Sequence, residues 1–171
     1  TSIRLLLGLL RPAEGSIHLF GQPLDGRRAA LRQVGALVES PSLYGHLSGR
    51  ENLEVTRRLL GAPRARIDWA LERVDLAGAA QRRVREYSLG MRQRLAIALA
   101  LLGSPRLLVL DEPSNGLDPA GIAEFRQLLR GLAEEGITVF VSSHLLSEVE
   151  LVATHVGVLH DPAVDVLGIQ V

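Results

Sequence analysis

"REYSLGMRQRLAIALALLGSPRLLVLDEPSNGLD", Arg85 to Asp118, is the stretch on which the fold turns. Its middle, "LAIALALL", is apolar on every side, which suits a helix buried all round. "RLLVL" follows as a continuous apolar run bounded by turn residues, the pattern of a strand covered on both faces. The run stops at two adjacent carboxylates, Asp111 and Glu112. In an open parallel sheet, ligands sit beyond the carboxyl ends of the strands, where these acids would emerge. Desolvating neighbouring carboxylates is costly unless a cation or hydrogen-bond donors compensate. A divalent metal beside a reacting water is one solution. Taken alone, the same pair serves equally well to open a solvated loop.

The flanking sequence supplies the rest of an α/β pattern. "TVFVS" (138–142) is a second apolar run expected to be covered on both faces. Between the two runs, Ile122, Phe125, Leu128, Leu129 and Leu132 form one face of a helix. Upstream, Ile3, Leu6, Leu7 and Leu10 recur at helical spacing, so the chain opens in a helix that ends at "RPAEG". "SIHLF" reads as a short strand and "GQPLDG" as a turn. "LRQVGALVES" reads as a helix tail feeding a strand around Val34 to Val38. Residues from Pro41 to about Arg85 are rich in Arg, Glu, Leu and Ala and read as a mostly helical insertion. "HVGVLH" is the last strand predicted. Strand–helix–strand with buried strands implies a mostly parallel sheet with flanking helices.

Length and composition set the bounds. The chain has 171 residues, enough for one domain with a core and a small insertion. Lys+Arg and Asp+Glu are both 19, so the net charge is zero, which argues against broad attachment to nucleic acid or anionic lipid. With no cysteine, a disulfide framework and a cysteine metal site are excluded. The longest apolar run, Leu95 to Gly103, is far too short to span a bilayer.

Four motifs in order carry a resemblance. "YSLGM" followed by "RQR", "LLVLDEP", "NGLD" and "VSSHLLSEVE" resemble, in turn, the LSGGQ signature, the Walker B strand, the D-loop and the switch-histidine segment of ABC transporter ATP-binding subunits. The resemblance covers nearly the whole chain. It implies a P-loop NTPase-like core over residues 1–40 and 86–171, with residues 41–85 as a helical signature subdomain. It implies ATP and Mg²⁺ as cofactors, a membrane permease and a second ATP-binding subunit as partners, no nucleic acid, and a peripheral place on the cytoplasmic face of the plasma membrane.

The resemblance also distributes roles. Asp111 would hold Mg²⁺ and Glu112 would be the general base for the attacking water. His144 would sense the γ-phosphate; an isolated histidine there would more simply be a cap or surface residue. Ser88 and Gly90 would contact the γ-phosphate of a nucleotide on the other subunit, and Ser88 would also serve as an ordinary N-cap. Asp118 would face the partner's nucleotide across the interface, while "DP" is equally a plain helix entry. Glu39 stands where the family usually carries a glutamine that touches the metal and the water; a carboxylate accepts there but cannot donate.

This chain departs from the family pattern at the signature, where Leu89 stands at a glycine and Met91 at the glutamine. Tuned rather than abolished phosphate contact is expected, because Ser88 and Gly90 remain. "ALVESPSLYGHLSGRENL" resembles the subgroup that exports peptide antibiotics such as bacitracin and lantibiotics, or confers immunity to them. The phosphate-binding loop G-x-x-x-x-G-K-[ST] is not among these residues, and no lysine occurs. Thr1 and Ser2 resemble the positions just after that loop, so an N-terminally truncated chain that does not hydrolyse ATP is the expectation. The alternative function is that of a non-hydrolytic remnant that only docks a partner.

Overall fold

The computed structural model describes residues 2–24, 29–38, 42–143, 151, 153–160 and 163–167. Its centre is a parallel sheet of β3 (Val34–Leu37), β4 (Leu107–Asp111) and β5 (Thr138–Ser142), in that spatial order. Two smaller antiparallel pairs accompany it. One joins β1 (His18–Leu19) to β2 (Gln22–Pro23), and the other joins β6 (Val156–His160) to β7 (Ala163–Leu167). The helices are α1 (Ser2–Leu6), α2 (Gly49–Leu60), α3 (Ala65–Arg73), α4 (Leu89–Leu101) and α5 (Pro119–Glu134). The fold is the α/β class that the apolar runs predict, with α2 to α4 lying between β3 and β4 in the chain, and α5 between β4 and β5.

Strand β4 holds the two sides of the core together. Successive side chains of a strand point to opposite faces. Leu108 and Leu110 accordingly join Leu37, Leu95, Leu101, Phe125, Leu129 and Leu132 in the main cluster. Val109, on the other face, packs with Ile3 and Leu7 of the N-terminal segment. Helix α4 is buried along Leu95 to Ala98 and again at Leu101, within its apolar "LAIALALL" part.

Four expectations are corrected. First, the opening helix does not continue to Leu10. Gly8 adopts φ +65°, its N–H bonds the Leu5 carbonyl at 2.9 Å, and the Leu9 N–H bonds the Arg4 carbonyl at 2.8 Å. This is the left-handed stop that caps helix carbonyls, and a glycine adopts it without strain. Second, "GQPLDG" is not simply a turn. Gln22 and Pro23 pair with Leu19 and His18, and the turn is Phe20–Gly21, both with positive φ, as two-residue hairpins require.

Third, β5 is not covered on both faces among the described residues. Val139 and Val141 lean on the core, whereas Thr138 is exposed and Phe140 is 46% exposed. Helix α1 covers β4, but five residues at about 1.5 Å each give it a reach of only about 7 Å. Fourth, the chain does not end its regular structure at "HVGVLH". Residues Ala163–Leu167 form β7 against β6, using the alternation in "AVDVL".

The segment before the signature is fixed at its start by side chains. Ser48 and Glu51 form a reciprocal cap on α2: the Ser48 Oγ accepts from the Glu51 N–H at 3.2 Å, and the Glu51 carboxylate accepts from the Ser48 N–H at 2.7 Å. Asn52 is almost fully buried. Its Oδ1 accepts from the Tyr44 N–H at 2.8 Å, and its Nδ2 donates to the carbonyls of Tyr44 at 3.1 Å and Ser48 at 2.8 Å. Asn52→Ala should therefore release the Tyr44–Ser48 loop and cost about 1–3 kcal/mol, because the loop's backbone groups lose buried partners. Amide exchange across residues 44–48 checks this, with faster exchange confined to that loop expected.

Candidate functional site

Strand β4 delivers Asp111 and Glu112 to the carboxyl edge of the parallel sheet. In the parallel register Asp111 lies opposite Ser142, the last residue of β5. The Ser142 hydroxyl donates to Asp111 Oδ1 at 2.6 Å. Ser142 Oγ in turn accepts from the Glu112 N–H at 3.0 Å, and the Ser142 carbonyl accepts from the same N–H at 3.2 Å. Glu112 itself has φ +46°. That is the left-handed region, sparsely populated by residues with a side chain and typically costing about 1–3 kcal/mol. It breaks the strand immediately after Asp111 and starts the turn through Pro113 to Leu117, closed by an Asn115 N–H bond to the Glu112 carbonyl at 3.2 Å and a Leu117 N–H bond to the Ser114 carbonyl at 3.1 Å.

The turn leads directly into α5. Asp118 caps that helix, its Oδ1 accepting from the Gly121 N–H at 2.8 Å, and Pro119 takes the first helical position. Ser88 caps α4 in the same way, its Oγ accepting from the Met91 N–H at 3.2 Å. Both residues are exposed, and each makes the helix cap that the sequence allows. A serine hydroxyl that accepts from an N–H still has its own proton to donate.

The start of α4 and the "SNGLD" turn lie side by side. A Cβ on Gly116 would stand 3.0 Å from Leu89 Cδ2, and one on Gly90 would stand 3.7 Å from Leu117 Cδ2. Leu89, the departure from the glycine of the signature, is 41% exposed and rests against this turn. Tyr87, just before it, is buried and donates its hydroxyl to the Ala79 carbonyl at 2.7 Å. Burial raises the pKa of that phenol above its usual value. The "RQR" that follows has structural work. Arg92 donates to the Tyr87 carbonyl at 2.9 Å, and Arg94 donates both to the Val74 carbonyl at 3.1 Å and to Glu124 on α5 at 2.6 Å. It thereby ties the end of α3 to α5.

The structure thus brings Asp111 and Glu112 together at the end of β4, and sets Leu89 and Gly90, next to Ser88 at the start of α4, beside the turn that leads from Glu112 to Asp118. Glu39 and His144 lie outside the described residues. Ser142 is the residue that sequence spacing did not single out; it lies in "VSSH", where the histidine draws the attention. No group of three or more His, Cys, Asp or Glu side chains able to hold a metal occurs among the described residues. The donors present suit an ion such as Mg²⁺, which binds through one or two carboxylates and otherwise keeps water and phosphate oxygens, rather than one caged by protein alone. No helix of the described residues is long and apolar enough to cross a membrane.

The chain is similar to known proteins. A family model described as "ABC transporter" matches residues 1–115. The chain is 48% identical over 164 residues to the bacitracin transport ATP-binding protein BcrA of Bacillus licheniformis, covering 94% of this chain and 54% of that protein. It is 42% identical over 161 residues to the lantibiotic transport ATP-binding protein SrtF of Streptococcus pyogenes, covering 94% of this chain and 69% of that one. The solved structure of cbiO1 from Clostridium perfringens, part of the ABC transporter complex cbiONQ, aligns with a TM-score of 0.88 at 29% identity, over 98% of this chain and 70% of its own. The chain therefore spans about half the length of BcrA.

Proposed function

This chain belongs to the ABC transporter family, among its ATP-binding proteins, and on that premise we propose that it serves a transporter in which ATP binding and hydrolysis drive export through a partner membrane permease. The observation that carries this is the placing of Asp111 and Glu112 at the carboxyl end of β4, the middle strand of the parallel sheet. The names of BcrA and SrtF support a peptide-antibiotic substrate of the bacitracin or lantibiotic kind. The place of work is the cytoplasmic face of the plasma membrane.

Asp111 would hold Mg²⁺, which when bound neutralises charge on the terminal phosphates. Glu112 accepts a proton from the water that attacks the γ-phosphorus; the bond to the β-phosphate's bridging oxygen breaks, and ADP leaves with that electron pair. Ser88 offers its hydroxyl proton, and the first turn of α4 its N–H groups, to the γ-phosphate of a nucleotide on a second ATP-binding subunit. Asp118 faces the same interface. Glu39 accepts from the water or the metal in place of an amide, and His144 senses the γ-phosphate. Residues 1–171 contain no lysine and no G-x-x-x-x-G-K-[ST] run, and by themselves we propose that they do not turn ATP over.

Residues 41–85 form the surface that meets the permease. Tyr44 is 52% exposed, and its ring meets that of the exposed His46 edge-on at 6.2 Å, on the loop that Asn52 holds in place. A photo-crosslinker at position 44 or 46 should capture an integral membrane protein in intact cells. Capture of a second ATP-binding subunit alone would overturn this assignment.

A further inference from the structure

We propose that Ser142 is a positioning residue of the ATP site: its hydroxyl fixes the Asp111 carboxylate for the cation and holds the Glu112 backbone in its left-handed turn. The inference rests on the roles proposed for Asp111 and Glu112. It is carried by three contacts that converge on one side chain and its own carbonyl. The 2.6 Å bond to Asp111 Oδ1 has the length of a charge-assisted O–H···O⁻ bond. The 3.0 Å bond from the Glu112 N–H uses an acceptor lone pair of the same hydroxyl. The ladder bond to the Ser142 carbonyl is the longest of the three, at 3.2 Å.

Strand pairing alone does not require this. Any residue at position 142 would offer the carbonyl, and the alternation of β5 puts position 142 on the face of Thr138 and Phe140, opposite the valines packed on the core. A hydroxyl adds a donor and an acceptor together, and here both are spent on the acid pair. The donor settles the rotation of the Asp111 carboxylate, because one oxygen is taken by Ser142 and the cation meets a group already aimed. The acceptor gives the Glu112 N–H a second partner at the point where the backbone enters an unfavourable conformation. Partners that orient a metal-binding carboxylate in this way typically contribute about 10–100-fold to metal affinity or activity.

A matched pair of variants tests the proposal. Ser142→Thr keeps the hydroxyl and Ser142→Val replaces it with a methyl of the same shape, and both are β-branched residues suited to a strand. Each is made in the full polypeptide as the cell produces it. Mn²⁺ affinity in the presence of a non-hydrolysable ATP analogue is read by electron paramagnetic resonance, and kcat and KM for ATP are measured beside it. Ser142→Val should lower Mn²⁺ affinity and kcat by about 10–100-fold, with thermal midpoints of the nucleotide-free variants alike and Ser142→Thr close to the parent. Unchanged Mn²⁺ affinity in Ser142→Val, or equal losses in Thr and Val, would overturn the proposal. If Ser142→Val does not fold, Ser142→Ala against Ser142→Thr makes the same comparison. Asp111→Asn measured in parallel separates the two levels. Its loss of Mn²⁺ with none in Ser142→Val rejects only the part given to Ser142, whereas no loss in Asp111→Asn rejects the metal reading itself.

Discussion

In the full polypeptide as the cell produces it, Glu112→Gln should lower ATP turnover by about 10²–10⁴-fold, the usual contribution of a positioned general base, while ATP binding stays near the parent value. The amide keeps the size of the carboxylate but cannot take a proton from water. The contacts of this residue with Ser142 run through its backbone N–H and survive the change. Its positive φ places the same demand on either side chain, since both carry a Cβ. The variant is thus a chemical change with little structural cost. Phosphate release and equilibrium nucleotide binding, measured on one preparation, distinguish the outcomes. Near-normal turnover would remove Glu112 from the role of base.

The largest effect on stability should come from Leu110→Ala, at about 2–5 kcal/mol, as lost burial and a residual cavity add together. Leu110 is fully buried in the main core, one residue before Asp111 and paired in register with Leu37 and Val141. Loosening it frees the end of β4 that carries the acids, and activity should fall with stability. Phe140→Ala on the half-open face of β5 should cost much less, because that ring is 46% exposed. Urea unfolding of the two variants compares them directly; equal costs would mean that Phe140 is as enclosed as Leu110.

The parts of the fold legible in the sequence were those with one dominant physical signal. "RLLVL" and "LAIALALL" are apolar throughout, so only burial accommodates them, and β4 and α4 follow. Asp118-Pro119 and Ser88 announce helix starts through short-range hydrogen bonding. What the sequence concealed depended on backbone angle or on partners distant in the chain. The helical spacing through Leu10 gives no warning that Gly8 takes the left-handed conformation and closes α1. The run "TVFVS" does not reveal that Phe140 stays 46% exposed among the described residues. At the candidate site the acids stood out because an apolar strand rarely ends in two of them. Ser142 did not, because its part depends on the register that sets it opposite Asp111, across 31 residues of chain.

We propose that the acid pair at the end of β4 works on ATP through a divalent cation. The most direct test is a Mg²⁺ titration of ATP hydrolysis by the full polypeptide as the cell produces it, in parent and Asp111→Asn forms. Hydrolysis by the parent should require Mg²⁺, and the Asp111→Asn form should lose turnover and have a nucleotide affinity that no longer responds to Mg²⁺. Hydrolysis that proceeds without a divalent ion, or an Asp111→Asn form with the parent's Mg²⁺ dependence, would contradict it.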